Sequence, residues 1–138
     1  MGRTGKLLLP VFLLAAVFSA CGGGGGGGTD TNVPQRTLSW DPPTQYTDNT
    51  NIANPLQELG EYWVYVKTDN TSFTPADDYV VVSAVDPATN LLVESFDLRN
   101  AYLPLSLKTG TTYYVSMRAV STSGVASDFS DPSPPFTF

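Results

Sequence analysis

The 138-residue chain has no histidine and a single cysteine, Cys21. Without histidine the commonest general base is missing, so a serine nucleophile has no ordinary partner to activate it. One thiol cannot close an internal disulfide, and a folded unit must therefore hold together by packing. Positive charge is also scarce, with seven Lys and Arg against 13 Asp and Glu. Arg3 and Lys6 lie at the start; only Arg36, Lys67, Arg99, Lys108 and Arg118 remain after residue 20, where the net charge is −8. Such a balance argues against nucleic acid or an anionic bilayer as an electrostatic partner, and suits solubility beside an anionic cell surface. Helical periodicity is lacking too: beyond residue 20 no stretch of ten residues repeats its apolar positions with a period of 3.6.

The acids do not make up a catalytic or metal centre. Asp77-Asp78 is a carboxylate pair beside a strand start, with no second pair placed to share a substrate. A glycosidase needs two carboxylates across a cleft, and a small domain offers little cleft. Asp41, Asp48, Asp77 and Asp78 are calcium-compatible, but no Asp-x-Asp-x-Asn-Gly loop is present, and solvated loop acids are the simpler reading. Neither enzyme activity, nor a metal, nor a cofactor is expected.

What the chain does have begins at its N-terminus. Arg3 and Lys6 precede an apolar run from Leu7 to Phe18, and Phe18-Ser19-Ala20 leads into Cys21 with small residues before it. An apolar core of about twelve residues is short for a bilayer span and fits an export signal. Phe18-Ser19-Ala20-Cys21 resembles the lipobox of bacterial lipoproteins, departing from it in Phe18, where Leu is usual. The resemblance implies a signal peptide over 1–20, cleavage before Cys21, and acylation (palmitate included) of Cys21 as the new N-terminus. Two or more acyl chains make a stable anchor where one binds marginally. The membrane is then a partner through Cys21, and the location is the bacterial cell envelope. Gly22 in place of an inner-membrane-retaining Asp points to the outer membrane in an organism with two. In a bacterial lipoprotein the sequon Asn70-Thr71-Ser72 says nothing.

Seven glycines, Gly22 to Gly28, follow the cysteine. With no side chains to bury and maximal backbone entropy to lose, this run reads as a leash. Continued through Gln35, the tether 21–35 has a random-coil reach of roughly 20 Å. A phosphate-binding glycine loop would need a preceding strand and a following helix, and neither flanks it.

From Arg36 to Phe138 the pattern is short apolar alternations broken by Pro, Asn, Asp and Gly, which predicts one domain of about 100 residues. Strands are expected at Thr37–Trp40, Tyr62–Val66, Tyr79–Val85, Leu91–Phe96, weakly at Tyr102–Leu105, and at Tyr113–Val120. A polar connection runs from Thr44 to Glu58, turns are expected at Asp86–Asn90 and Ser121–Gly124, and a last segment ends at Phe138. Evenly spaced strands of this kind imply an all-β antiparallel sandwich.

Leu107-Lys108-Thr109-Gly110-Thr111-Thr112-Tyr113, continuing to Val120, resembles the E–F corner and strand F of a fibronectin type III domain. Leu38-Ser39-Trp40-Asp41-Pro42-Pro43 is similar to that family's strand B, Leu59 to Tyr65 to its strand C, and Ser123-Gly124 with Ser127 to Ser130 to its F–G turn and early strand G. The resemblance implies a fibronectin type III-like β-sandwich over 36–138, with strand A abbreviated or missing. The long stretch from Ser72 to Leu98 suggests an extra hairpin, Tyr79–Val85 with Leu91–Phe96.

Strand alternation then sorts the side chains. Leu38, Trp40, Tyr62, Val64, Leu107, Tyr113, Val115, Met117 and Ala119 are expected inside, with the Tyr113 hydroxyl bonding backbone near Leu107 or Lys108. Trp63, Tyr65, Tyr114 and Arg118 are expected outside, on one exposed face of neighbouring strands. Aromatic residues with an arginine are what binding hot spots favour, for a protein partner or a polysaccharide, although aromatics also suit strands wherever they lie. Two function classes follow: a displayed binding or adhesion module, or a structural spacer or subunit of an envelope assembly.

Overall fold

The computed structural model describes residues 33–69 and 72–138. The expected signal peptide, Cys21, most of the expected tether and the first two residues of the sequon lie outside them. Among the described residues no helix is long and apolar enough to cross a membrane.

Among the described residues six strands form two antiparallel sheets, with β1 (Thr37–Ser39) and β4 (Ser95–Asp97) in the smaller. The larger runs β3-β2-β5-β6, from β2 (Leu59–Lys67), β3 (Tyr79–Ser83), β5 (Thr112–Ser121) and β6 (Phe136–Thr137). Long runs of aromatic and β-branched residues at Tyr62–Val66 and Tyr113–Val120 make β2 and β5 the central pair. Their register sets Trp63 opposite Arg118, Tyr65 opposite Ser116 and Lys67 opposite Tyr114.

Alternation buries every residue expected inside. Leu38, Trp40, Tyr62, Val64, Leu107, Tyr113, Val115, Met117 and Ala119 all belong to the core. Trp40, just past β1, meets Tyr62 of β2 edge-on with ring centroids 5.1 Å apart, which ties the two sheets together. The Tyr113 hydroxyl accepts a 2.8 Å hydrogen bond from the Lys108 N–H, so the bonded backbone group is a donor. Val33 already packs against the core, inside the stretch expected to be tether.

The irregular parts depart from expectation in four places. The segments Tyr79–Val85 and Leu91–Phe96 do not form a separate hairpin: β3 joins β2, β4 joins β1, and only the Val85–Leu92 bridge holds the crossover. Each arm has an apolar side to bury, and joining the two sheets buries both against one core. Tyr102–Leu105 is no strand but the end of a one-turn helix, α2 (Arg99–Tyr102), and its following turn. Pro104, without an N–H, suits that turn better than a ladder. A second single turn, α1 (Pro55–Glu58), ends the polar connection, with Pro55 supplying a preset φ at its start. Among the described residues no strand precedes β1.

The fourth departure is the segment after β5. Gly124, at φ +84, turns the chain, and Ser127, Ser130 and Ser133 then run along the free edge of β5. Their N–H groups donate to the carbonyls of Ala119, Met117 and Val115, each at 2.8 Å. Their hydroxyls accept from the N–H groups of the same three residues, each at 2.9 Å. Serine side chains thus replace half of a normal strand pairing. Only every third residue needs its N–H, which is why Pro132, Pro134 and Pro135 are tolerated beside a sheet edge.

Candidate functional site

The face of the larger sheet that turns away from the core carries Trp63 and Tyr65 from β2, Tyr79 and Val81 from β3, and Tyr114, Ser116 and Arg118 from β5. Period-two alternation puts them there, because Tyr62, Val64, Tyr113, Val115 and Met117 fill the opposite side. Trp63, Tyr65, Tyr114 and Arg118 therefore share the face on which the alternation places them.

Five side chains close a ring of contacts on this face. Trp63 stacks on Tyr79 with centroids 4.9 Å apart and planes inclined by 26°. Tyr79 lies 5.0 Å from Tyr65, which meets Phe129 edge-on at 4.9 Å. The Arg118 guanidinium completes the circuit, 5.1 Å from the Phe129 ring and 5.8 Å from that of Trp63. Phe73 extends the cluster from Phe129, and Lys67 sits 4.9 Å over its ring.

Tyr65 corrects the expectation of exposure: it is 0% exposed. Tyr79 and Phe129 cover it from two sides, because a large ring in the centre of an aromatic face is shielded by its neighbours. Burial pushes its phenol above the ordinary range, while the adjacent Arg118 guanidinium works against that rise. Among the described residues the buried hydroxyl has no hydrogen-bond partner of normal geometry. Trp63, Tyr114 and Arg118 are half-buried. Tyr114, opposite Lys67, lies about 13 Å along β5 from Arg118 and takes part in none of the ring contacts.

Arg118 is held by backbone and rings. Its Nε donates to the Ser127 carbonyl at 2.6 Å. No carboxylate among the described residues forms an ion pair with it, in contrast to Lys67 with Asp77 and Arg99 with Asp97. The Trp63 indole N–H donates to Glu61 at 2.7 Å, which fixes the ring and uses up its polar end. A positive charge flanked by two aromatic planes can stack against a planar or sugar ring, or receive a carboxylate.

Sequence reasoning missed Tyr79, Phe129 and Phe73. Tyr79 was legible from the alternation of β3, where Tyr79, Val81 and Ser83 are exposed and Val80 and Val82 half-buried. Phe129 was not, since its segment follows the three-residue serine repeat.

Other chemistry is sparse. Among the described residues no group of three His, Cys, Asp or Glu could hold a metal ion. Backbone and Lys67 hydrogen bonds hold Asp77 below the usual carboxylate range, the bond from the Thr74 N–H contributing most. Tyr46 donates to Glu58, and burial with that carboxylate pushes its phenol up to about 12. Both are loop-ordering contacts. No protein-family model matches the chain, and no curated protein matches its sequence.

Proposed function

We propose that the chain is a lipoprotein anchored through acylated Cys21 in the bacterial cell envelope, at the outer membrane where there are two, and that it displays a fibronectin type III-like binding or adhesion module. It is not an enzyme and uses no cofactor. The lipobox-like Phe18-Ser19-Ala20-Cys21 and the glycines behind it support the anchor. The pairing of β2 with β5, and the Tyr113–Lys108 corner, support the fibronectin type III reading, in which the strands resembling C and F are neighbours.

The observation that carries the binding reading is Arg118, clasped between Trp63 and Phe129 and, among the described residues, without a carboxylate partner in a chain rich in carboxylates. Such a residue is oriented before a ligand arrives, which lowers the entropy cost of binding. Trp63, Arg118 and the more distant Tyr114 form the accessible part; Tyr65 is its buried support. The ligand is a protein or a polysaccharide of the envelope or its surroundings. A second reading, a structural spacer or assembly subunit, draws on the burial of Tyr65, since rings that satisfy one another stabilise a sheet with no ligand at all.

Cell fractionation tests the anchor: Cys21→Ser should leave the signal uncut and free the protein from membranes, and a mutant that still pellets after a high-salt wash overturns it. Pull-down from envelope fractions tests the site. Trp63→Ala and Tyr114→Ser should lower capture while the unfolding midpoint of Tyr114→Ser stays put. Loss of stability with undiminished capture would reduce the face to packing.

A further inference from the structure

The two edges of the larger sheet are finished differently. Beyond β5 the edge is closed by the serine segment and β6. At the other side β3 ends the sheet. The Ala84 N–H bonds the Gly60 carbonyl at 3.0 Å, and the paired positions Tyr62–Val82 and Val64–Val80 follow it with a two-residue step. Alternation of the antiparallel ladder therefore turns the N–H and C=O of Val80 and Val82 toward β2. Those of Tyr79, Val81 and Ser83 point away from it, and none has a backbone partner among the described residues.

Natural edges are blunted with lysine, proline, inward charge or a bulge. Tyr79-Val80-Val81-Val82-Ser83 has none of these, and Val81 at its centre is 55% exposed. An unblunted edge of strong strand formers is a template for one more strand.

We propose that the open edge of β3 pairs antiparallel with the same edge of a second copy of this chain, about a twofold axis at Val81. The register is dictated by which groups are free. Centring on Val81 sets Tyr79 opposite Ser83 of the other copy, and Val81 opposite Val81, so that all three outward-pointing residues of each copy exchange hydrogen bonds. A centre at Val80 or Val82 would pair only two of the three, setting Ser83 opposite Asp77 or Tyr79 opposite Val85, beyond the strand. Side chains agree with the backbone: on the core-facing side Val80 meets Val82 of the other copy, and on the outer side Val81 meets Val81.

Charge is compatible with this register and excludes a centre at Val82, where Asp78 would face Asp86 of the other copy. The acids flanking the strand are Asp77, Asp78 and Asp86. With the axis at Val81, they fall opposite Val85, Ala84 and Ala76 of the other copy, so no acid faces an acid. A chain this acidic would repel itself in most face-to-face contacts; at this edge the neutral stretch from Tyr79 to Val85 meets itself. The pairing leaves Arg118 and Trp63, on β5 and β2, unburied, and it does not depend on the ligand reading.

The test is sedimentation equilibrium of the full chain in detergent, under reducing conditions, over a wide concentration range. Val81→Pro removes only an outward N–H, and so two hydrogen bonds per dimer, one from each copy; the dissociation constant should rise roughly tenfold or more. Val81→Lys places two like charges opposite each other and should act in the same direction without any backbone constraint. A circular dichroism melt establishes that each variant is folded. In a Cys21→Ser background, Val81→Cys should cross-link under mild oxidation far faster than Ser123→Cys, since the paired α-carbons would lie about 5.5 Å apart. A parent chain that stays monomeric at about 1 mM overturns the proposal (millimolar is the weak limit of specific association). So does a dimer indifferent to Val81→Lys and Val81→Pro, or equal cross-linking rates at positions 81 and 123. Capture of a different protein on this edge, with no self-association, overturns the second copy as its occupant.

Discussion

The inner and outer faces of the larger sheet are made by alternate residues of the same two strands, yet they hold together by different physics. On the inner face Tyr62, Val64, Tyr113, Val115, Met117 and Ala119 join one core with Leu38 and Trp40 from across the sandwich. Removal of apolar surface from water stabilises that side, and its worth scales with the area buried. On the outer face there is no opposing sheet among the described residues. Trp63, Tyr65, Tyr79, Phe129 and Arg118 cover one another, and the serine segment brings Phe129 and the Ser127 carbonyl to close the cluster. Specific geometry replaces bulk burial there. The inner face should therefore respond to lost volume, and the outer face to lost shape or a lost donor.

The largest effect should come from Trp40→Ala. Trp40 is 3% exposed and packed against Tyr62. Its removal opens a cavity between the sheets and should lower stability by about 3–5 kcal/mol. An unchanged denaturant midpoint would mean that the inner register is wrong.

Alkaline pH probes the same face without mutation. Burial pushes the Tyr62 phenol up to about 12 from 10.0, with the Glu94 carboxylate adding to it and the Trp40 indole working against it. A raised folded-state pKa means stability that is fully present below pH 10 and lost as pH rises toward about 12. The loss should be on the order of 3 kcal/mol, read as a falling unfolding midpoint, and Tyr62→Phe should flatten the fall. An equal fall in Tyr62→Phe would assign it to the other raised phenols, Tyr46 on the polar connection, pushed up to about 12 as well, and the buried Tyr65.

Between the faces runs the serine edge, and Ser130→Ala isolates it. The Ser130 hydroxyl accepts from the Met117 N–H at 2.9 Å and lies in a buried stretch beside Ser116. Alanine keeps the backbone bond to the Met117 carbonyl and orphans one buried donor, which should cost about 1–3 kcal/mol. Ser130→Thr, retaining the hydroxyl, should recover most of it. If alanine and threonine behave alike, the segment is held by its backbone alone.

The two faces also differ in how legible they were. The inner residues follow from period-two patterning, because β2 and β5 are long and bury one side continuously; all nine expected core positions are buried. The outer face was readable as a direction and not as an environment. Alternation points Tyr65 outward, but nothing in β2 announces that Tyr79 and Phe129, far apart in sequence, will cover it. The serine repeat was visible as letters, while its meaning depends on three unpaired N–H groups on β5 that only the fold supplies. The crossover after β3 was misjudged for a related reason: two adjacent strands with a turn between them read as a hairpin until each finds its partner in a different sheet.

The smallest stability effect, and the most discriminating, should be that of Arg118→Lys. Lysine keeps the positive charge but not the planar guanidinium between Trp63 and Phe129, nor the Nε donor to the Ser127 carbonyl. Cation–π contacts at half-exposed sites contribute about 0.5–1 kcal/mol, and a flexible ammonium retains part of that. The unfolding midpoint should therefore move little, while tryptophan fluorescence should change because the plane over Trp63 is lost. If instead stability falls as far as in Ser130→Ala, Arg118 serves mainly to hold the serine segment down, and the outer face is organised by its backbone contacts. A small stability change together with lost capture of an envelope partner would mean that the guanidinium is kept for recognition.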